Sequence, residues 1–124
     1  MMATTAISLS SLESYLELTS ARERSISANM ANVDTPGYRT RDIDFQSELR
    51  NAMYQPTEGG GTPRLLPVFR QVQGLMERPD GNNVSLDREG LLMAETQLQY
   101  QLGIQLVKSE FHEILSAING GGSS

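Results

Sequence analysis

The chain has none or few of the residues on which many functional sites depend. Its 124 residues include no cysteine, no tryptophan and a single histidine, His112. Without cysteine there is no disulfide and no thiolate metal site. A zinc site or a catalytic triad built on His112 would need partners that the sequence does not offer. We therefore predict no catalytic, cofactor-binding or metal-binding residue, and interpret His112 as a residue on a helix flank.

Charge and hydropathy argue against further classes of partner. The formal charge is −5, and an acidic surface repels the phosphates of nucleic acids. No apolar run approaches the roughly 18–20 residues of a membrane-spanning helix. The first residues form neither the basic nor the apolar region of a secretory signal, so we expect no cleaved signal peptide. No set of residues suggests a polar pocket, so we expect no small-molecule substrate.

The apolar residues that are present fall into two stripes with alternating steps of three and four, which is typical of a heptad seam. The first predicted helix runs from about Ile7 to Val33, with a stripe of Leu9, Leu12, Leu16, Thr19, Glu23, Ile26, Met30 and Val33. The second runs from about Leu86 to Ile118, with Ser85 as its N-cap. Its stripe comprises Met93, Tyr100, Ile104, Val107, Phe111, Ile114 and Ile118, and Leu91, Leu98 and Leu102 widen it on one side.

The first stripe ends at a sequence that predicts a sharp helix exit. Pro36 lacks an N–H and disfavours the helical conformation at Thr35. Because Gly37 tolerates a positive φ, Pro36 and Gly37 suit the two central positions of a type II turn. Short polar side chains nearby can bond the free main-chain groups of a helix end. The predicted helix-exit turn comprises Asn29, Asn32, Asp34, Thr35, Pro36, Gly37 and Tyr38.

The segment between the helices contains two short charged motifs. Asp42-Ile43-Asp44 alternates polar and apolar residues, which favours the solvated face of an extended segment over a set of metal ligands. Arg39-Thr40-Arg41 fits a solvated turn and an ion-pair contact with a neighbouring subunit equally well. A loop rich in Gly and Pro follows between Pro56 and Pro63.

These patterns predict a mainly α fold in which two long terminal helices pair as an antiparallel coiled coil. A short irregular or β-containing middle segment joins the helices, and we expect the termini to be disordered in the free monomer. The predicted organisation is an N-terminal helix and turn over residues 1–38, a variable middle over 39–84, a C-terminal helix over 85–119 and a flexible tail over 120–124.

One helix pair leaves much of both stripes without a covering element, and exposed apolar surface of this kind marks protein interfaces. We therefore predict that the protein gains order by packing against other chains. The predicted assembly interface comprises Leu9, Leu12, Leu16, Ile26, Met30, Tyr100, Ile104, Val107, Phe111, Ile114 and Ile118.

Two blocks of sequence resemble the flagellar axial proteins, and the proximal rod subunits in particular. The first block is Asn29-x-Ala31-Asn32-x-x-Thr35-Pro36-Gly37-Tyr38, continued by Arg39 and Arg41-Asp42-Ile43-Asp44-Phe45. The second is Asp80-Gly81-Asn82-Asn83-Val84-x-Leu86-Asp87-Arg88-Glu89, followed by Gln97-Leu98-x-Tyr100-Gln101, Gln105-Leu106 and the run from Phe111 to Ile118. Gly90 and Gly103 depart from the family pattern, which more often has larger residues there.

The resemblance implies a non-enzymatic building block of the proximal rod in the flagellar basal body, which transmits torque across the periplasm. Its implied partners are copies of itself, other rod proteins, the proteins of the membrane-ring and export-gate junction, and the type III export apparatus. Two alternatives remain: the related type C rod subunit, and a non-flagellar helical adaptor or export chaperone.

Overall fold

The computed structural model describes residues 9–54 and 66–120. Within them the chain forms helix α1 (Leu9–Ala31), strand β1 (Arg41–Ile43), helix α2 (Phe45–Tyr54), strand β2 (Phe69–Gln71) and helix α3 (Leu86–Gly120). The mainly α prediction is therefore confirmed, with a short β element in the middle segment. The predictions for residues 1–8, for the Gly- and Pro-rich loop and for residues 121–124 fall outside the described residues.

The two long helices run antiparallel. Near one end, Asn29 of α1 contacts Glu89 of α3. Further along, Gly103 of α3 lies against Tyr15 and Leu16 of α1. Residue numbers thus rise along one helix as they fall along the other, which confirms the predicted antiparallel pair.

Helix α1 packs against α2 and β1 as well as α3. Its buried residues therefore exceed the predicted stripe, and include Leu18 and Ala21 in addition to Leu12 and Ile26. Thr19, at the polar centre of the stripe, is fully buried and donates its hydroxyl to the Leu16 carbonyl at 2.8 Å.

The strands β1 and β2 form a two-stranded antiparallel sheet in which Ile43 faces Phe69 and Arg41 faces Gln71. Ile43 is buried, whereas all three residues of β2 are exposed. The sheet reaches α2 through Asp44, which caps that helix by accepting hydrogen bonds from the amide and the hydroxyl of Ser47. These hydrogen bonds lower the pKa of the Asp44 carboxyl below its ordinary value.

The prediction that both aspartates of Asp42-Ile43-Asp44 belong to a solvated face is wrong for Asp42. Arg22 of α1 donates two hydrogen bonds to the Asp42 carboxylate, at 3.1 and 3.0 Å. Only 14% of the Asp42 side chain is exposed, so this residue joins β1 to α1. Asp44 is exposed, as the alternation predicts.

Candidate assembly site

The helix exit has the geometry that its sequence predicts. Gly37 has a φ of +77°, and the Tyr38 amide donates to the Thr35 carbonyl at 3.2 Å. A positive φ at the third position with a hydrogen bond from the fourth residue to the first is the pattern of a type II turn. Pro36 at the second position fits this turn because its φ is already restricted.

Asn82, which lies far along the chain, holds the residues that follow the end of α1. Its side-chain amide donates to the carbonyls of Asn32 and Thr35, at 2.9 and 2.8 Å. Its side-chain oxygen accepts from the Val84 amide at 2.8 Å, and the residue is fully buried. Both carbonyls lie just after the last residue of α1, and the hydrogen bonds hold the helix-exit turn in place. Local sequence gives no sign of this contact, because Asn82 lies 47 positions after Thr35.

The helix-exit turn touches a second turn, formed by residues 78–81, and the contact is between their glycines. The Gly37 amide donates to the Asp80 carbonyl at 2.9 Å. Gly81 has a φ of +86°, and a Cβ on it would lie 3.4 Å from the Gly37 Cα. The close approach and the positive φ together favour glycine at position 81. Around this contact, Arg39 donates to the Gly81 carbonyl and Arg78 donates to the Val33 carbonyl.

Asn29 is the central residue of the region. Its side-chain amide donates to the Arg41 carbonyl at 2.8 Å and to Glu89 Oε1 at 2.6 Å. Its side-chain oxygen accepts from the Arg41 amide at 3.1 Å and from the Tyr38 hydroxyl at 3.0 Å. Both donors and both acceptor positions of the amide are therefore used, in a residue that is 1% exposed. One side chain thus connects α1, the turn, β1 and α3.

Glu89 is fully buried, which its position in the first turn of α3 did not predict. Asn29 and Arg88 donate to its two carboxylate oxygens, the latter at 2.7 Å. Arg88 also lies 3.6 Å from the Asp42 carboxylate, which Arg22 binds from the other side. Two acidic and two basic side chains of α1, β1 and α3 therefore form one continuous ion-pair network.

A third asparagine joins the strand to the start of α3. The side-chain oxygen of Asn83 accepts a hydrogen bond from the main-chain N–H of Thr40 at 2.7 Å. The main-chain N–H of Asn83 donates to the Tyr38 carbonyl. Thr40 is fully buried and its hydroxyl donates to the Asn83 carbonyl. Ser85 then caps α3 by accepting the Arg88 amide at 3.2 Å, as predicted. We call the region formed by residues 29–43 and 78–89 the polar junction.

The residues of the predicted exit turn take different parts in this junction. Asn32 remains local, since its amide donates to the Ala28 carbonyl at 2.8 Å and its oxygen accepts the Thr35 hydroxyl. Asn29 and Tyr38 point to other elements. Asp34, Thr35, Pro36 and Gly37 are exposed.

The residues of the predicted assembly interface fall into three groups by burial. Leu12 and Ile26 are buried within the chain. Leu16, Met30, Ile104 and Val107 are half-buried. The exposed group comprises Leu9, Tyr100, Phe111, Ile114 and Ile118. Phe111, Ile114 and Ile118 lie beyond the groove that Leu12 and Leu106 line. They belong to a part of α3 that extends past the described part of α1. We call Phe111, Ile114, Leu115 and Ile118 the tail stripe.

A second set of exposed apolar side chains lies on α3 away from the first stripe. At about 100° per residue, Leu91, Leu98 and Leu102 lie on roughly the opposite side of the helix from Tyr100 and Ile118. The prediction that these leucines widen the first stripe is therefore wrong, because they form a separate stripe. Leu91, Leu98 and Leu102 are 70%, 67% and 56% exposed. We call Leu91, Leu98, Leu102 and Leu106 the outer stripe.

Residues 9–54 and 66–120 contain no cluster of three or more His, Asp or Glu side chains that could hold a metal ion. In the same part of the chain, no helix has the length and hydropathy needed to cross a membrane.

Two long helices locked by a polar junction, with two apolar stripes left exposed on α3, define a helical subunit suited to assembly. Comparison with known proteins shows to which family this subunit belongs. The chain is 34% identical to flagellar basal body rod protein FlgB of Salmonella typhimurium over 122 residues, which cover 86% of this chain and 88% of the relative. It is 32% identical to the FlgB proteins of Escherichia coli K12, with the same coverage, and of Yersinia ruckeri, with 86% and 89% covered. No protein-family model matches the chain.

The chain belongs to the family of flagellar basal body rod protein FlgB. The resemblance based on the two sequence blocks is therefore confirmed, and the first block contacts residues 80–89 of the second block in the polar junction. The type C rod subunit and the non-flagellar adaptor are not favoured by these comparisons.

Proposed function

We propose that the chain is a structural, non-enzymatic subunit of the proximal rod, where it polymerises with copies of itself and with other rod proteins. Its relatives are named as flagellar basal body rod proteins, which supports a structural place in the basal body. In this proposal the rod lies in the periplasm and transmits torque to the distal rod and hook. The subunit also meets the membrane-ring and export-gate junction, and is exported through the type III apparatus without signal cleavage.

The observation that supports this function best is the exposed apolar surface of α3. Leu98 of the outer stripe and Phe111 and Ile118 of the tail stripe are 67%, 55% and 70% exposed. Burying a large apolar side chain contributes about 1.5–3 kcal/mol. Several such residues on one 35-residue helix favour association with further helices.

The polar junction supports a mechanical role. A subunit that transmits torque must keep its two helices in a fixed relation under load. Asn29, Asn82 and Glu89 are at most 1% exposed and are bonded across elements, so a shift of α1 along α3 would break several buried hydrogen bonds together. An unpaired buried polar group is costly, which makes such a shift unfavourable.

The test is complementation of a strain from which the gene for this chain has been deleted. Leu98→Asp and Phe111→Asp place a charge on exposed apolar positions, so they should leave the fold intact but abolish swimming and rod assembly. Gln101→Asp adds the same charge at an exposed polar position of α3 and serves as the matched control. Normal swimming of the deletion strain would overturn the proposed function, and normal swimming with both stripe variants would overturn the role of the stripes.

A further inference from the structure

A cleft beside α1 contains two arginines that no acidic group of the described chain neutralises. It has a volume of about 420 Å³ and is lined by Arg24, Ala28 and Arg41, with Tyr38 and Phe69 as aromatic walls. Arg24 and Arg41 are both exposed. Within residues 9–54 and 66–120, ion pairs form at Arg22, Arg39, Arg78 and Arg88, and neither Arg24 nor Arg41 takes part in one.

The two arginines of Arg39-Thr40-Arg41 differ in whether their side chains are bound within the described chain or are free for a neighbouring subunit. Arg39 is engaged within the chain, by Glu77 at 3.3 Å and by the Gly81 carbonyl. The main chain of Arg41 is held by Asn29, while its side chain remains exposed in the cleft. The guanidinium groups of Arg24 and Arg41 have the chemistry to bind carboxylates.

The same side of α1 carries carboxylates nearer its N-terminus. Glu13 and Glu17 are four residues apart and exposed, and they line one groove together with Ala21 and Arg24. In the described part of the chain neither carboxylate forms an ion pair. The acidic and the basic positions thus follow each other along one face, about 16 Å apart between Glu13 and Arg24 at 1.5 Å per residue.

We infer that the basic cleft of Arg24 and Arg41 binds Glu13 and Glu17 of a second copy of this chain. Within one described chain no ion pair joins the acidic and the basic group, but a second copy that faces this side of α1 and is displaced along the helix axis brings them together. When the α1 helices of the two copies run parallel, this contact is heterologous, and if its rotation does not close it continues into an open helical array. The contact would therefore set the axial stagger between neighbouring copies. This inference rests on the proposed function, since a rod is such an array.

Charge reversal tests the contact in the full-length chain, in the deletion strain described above. Arg24→Glu with Arg41→Glu should abolish swimming, and so should Glu13→Arg with Glu17→Arg. Combining all four substitutions in one chain exchanges the two patches and should restore swimming. Arg50→Glu with Arg70→Glu changes the charge equally at exposed arginines that do not line the cleft, and should leave swimming intact.

The outcomes separate this contact from the rod function itself. If the deletion strain swims, the proposed function fails. If the deletion strain is non-motile but the Arg24 and Arg41 double variant swims, only the contact fails. Two further results would overturn pairing between copies. One is loss of swimming in both double variants without rescue in the fourfold variant. The other is an equal loss of swimming in the Arg50 and Arg70 control. Unchanged thermal unfolding of the purified variants is expected, because all four side chains are exposed and outside the ion-pair network.

Discussion

Asn29 of α1 donates a hydrogen bond of 2.6 Å to the buried carboxylate of Glu89 in α3, 60 residues further along the chain. The same amide bonds both the N–H and the carbonyl of Arg41, as a neighbouring strand would. This pair links the two sequence blocks on which the resemblance to the family rests.

Replacing Asn29 should destabilise the fold strongly. Asn29→Ala leaves the Glu89 carboxylate and the Arg41 main chain short of partners, which we expect to cost about 3 kcal/mol. Asn29→Asp has nearly the same shape but loses both donors and adds a charge beside Glu89, so it should cost at least as much. Urea unfolding of the purified chain measures both. Asn32→Ala, which removes a more exposed local hydrogen bond, is the control and should cost about 1 kcal/mol. An Asn29→Asp chain as stable as the wild type would contradict the role of this pair.

The same substitution should act in opposite directions at two glycines. At Gly37, where φ is +77°, alanine meets no neighbouring atom within 4 Å but adopts a strained backbone, which costs about 1–2 kcal/mol. At Gly90, inside α3 and also without a close atom, alanine should stabilise by about 0.5–1 kcal/mol. Thermal unfolding of the two variants distinguishes the effects, and a stabilising Gly37→Ala would argue against the type II turn.

Gly103 should respond differently from Gly90, although both lie within α3. A Cβ on Gly103 would lie 2.7 Å from Leu16 Cδ2 and 3.0 Å from the Tyr15 ring. Gly103→Ala therefore forces the Leu16 and Tyr15 side chains to move, and should be less stable than Gly90→Ala by about 1–3 kcal/mol. Adding Leu16→Ala removes the closest contact, so the two substitutions should be non-additive in a double-mutant cycle. Additive free energies would show that the helices do not meet at this position.

The Asp44 cap gives a prediction for the dependence on pH. Because the folded-state pKa is lowered, the cap contributes stability above the ordinary pKa of 3.8 and loses it as the pH falls through the lower, folded-state value. An NMR titration of the Asp44 carboxyl should show the lowered pKa, and Ser47→Ala should move it back upward. A pKa that does not respond to Ser47→Ala would mean that the Ser47 hydroxyl is not its main cause.

Local sequence rules predicted the elements whose causes are local. Pro36 and Gly37 specify their turn, Ser85 caps its helix, and the stripes locate two long helices, because each depends on residues within a few positions. The burial of Glu89 and the bonds of Asn82 depend on the packing of distant segments, and nothing near these residues indicates it. Gly103, which the sequence marks only as a departure from the family pattern, is explained by the close approach of α1.

The most direct measurement of the central claim is a high-resolution cryo-EM reconstruction of the intact basal body from the organism that makes this chain. The account predicts the chain within the rod, with Asn29 bonded to Glu89 and with Leu98 and Phe111 covered by neighbouring subunits. Absence of the chain from the rod would contradict the account, as would a rod subunit in which α1 and α3 have separated or the stripes of α3 face solvent.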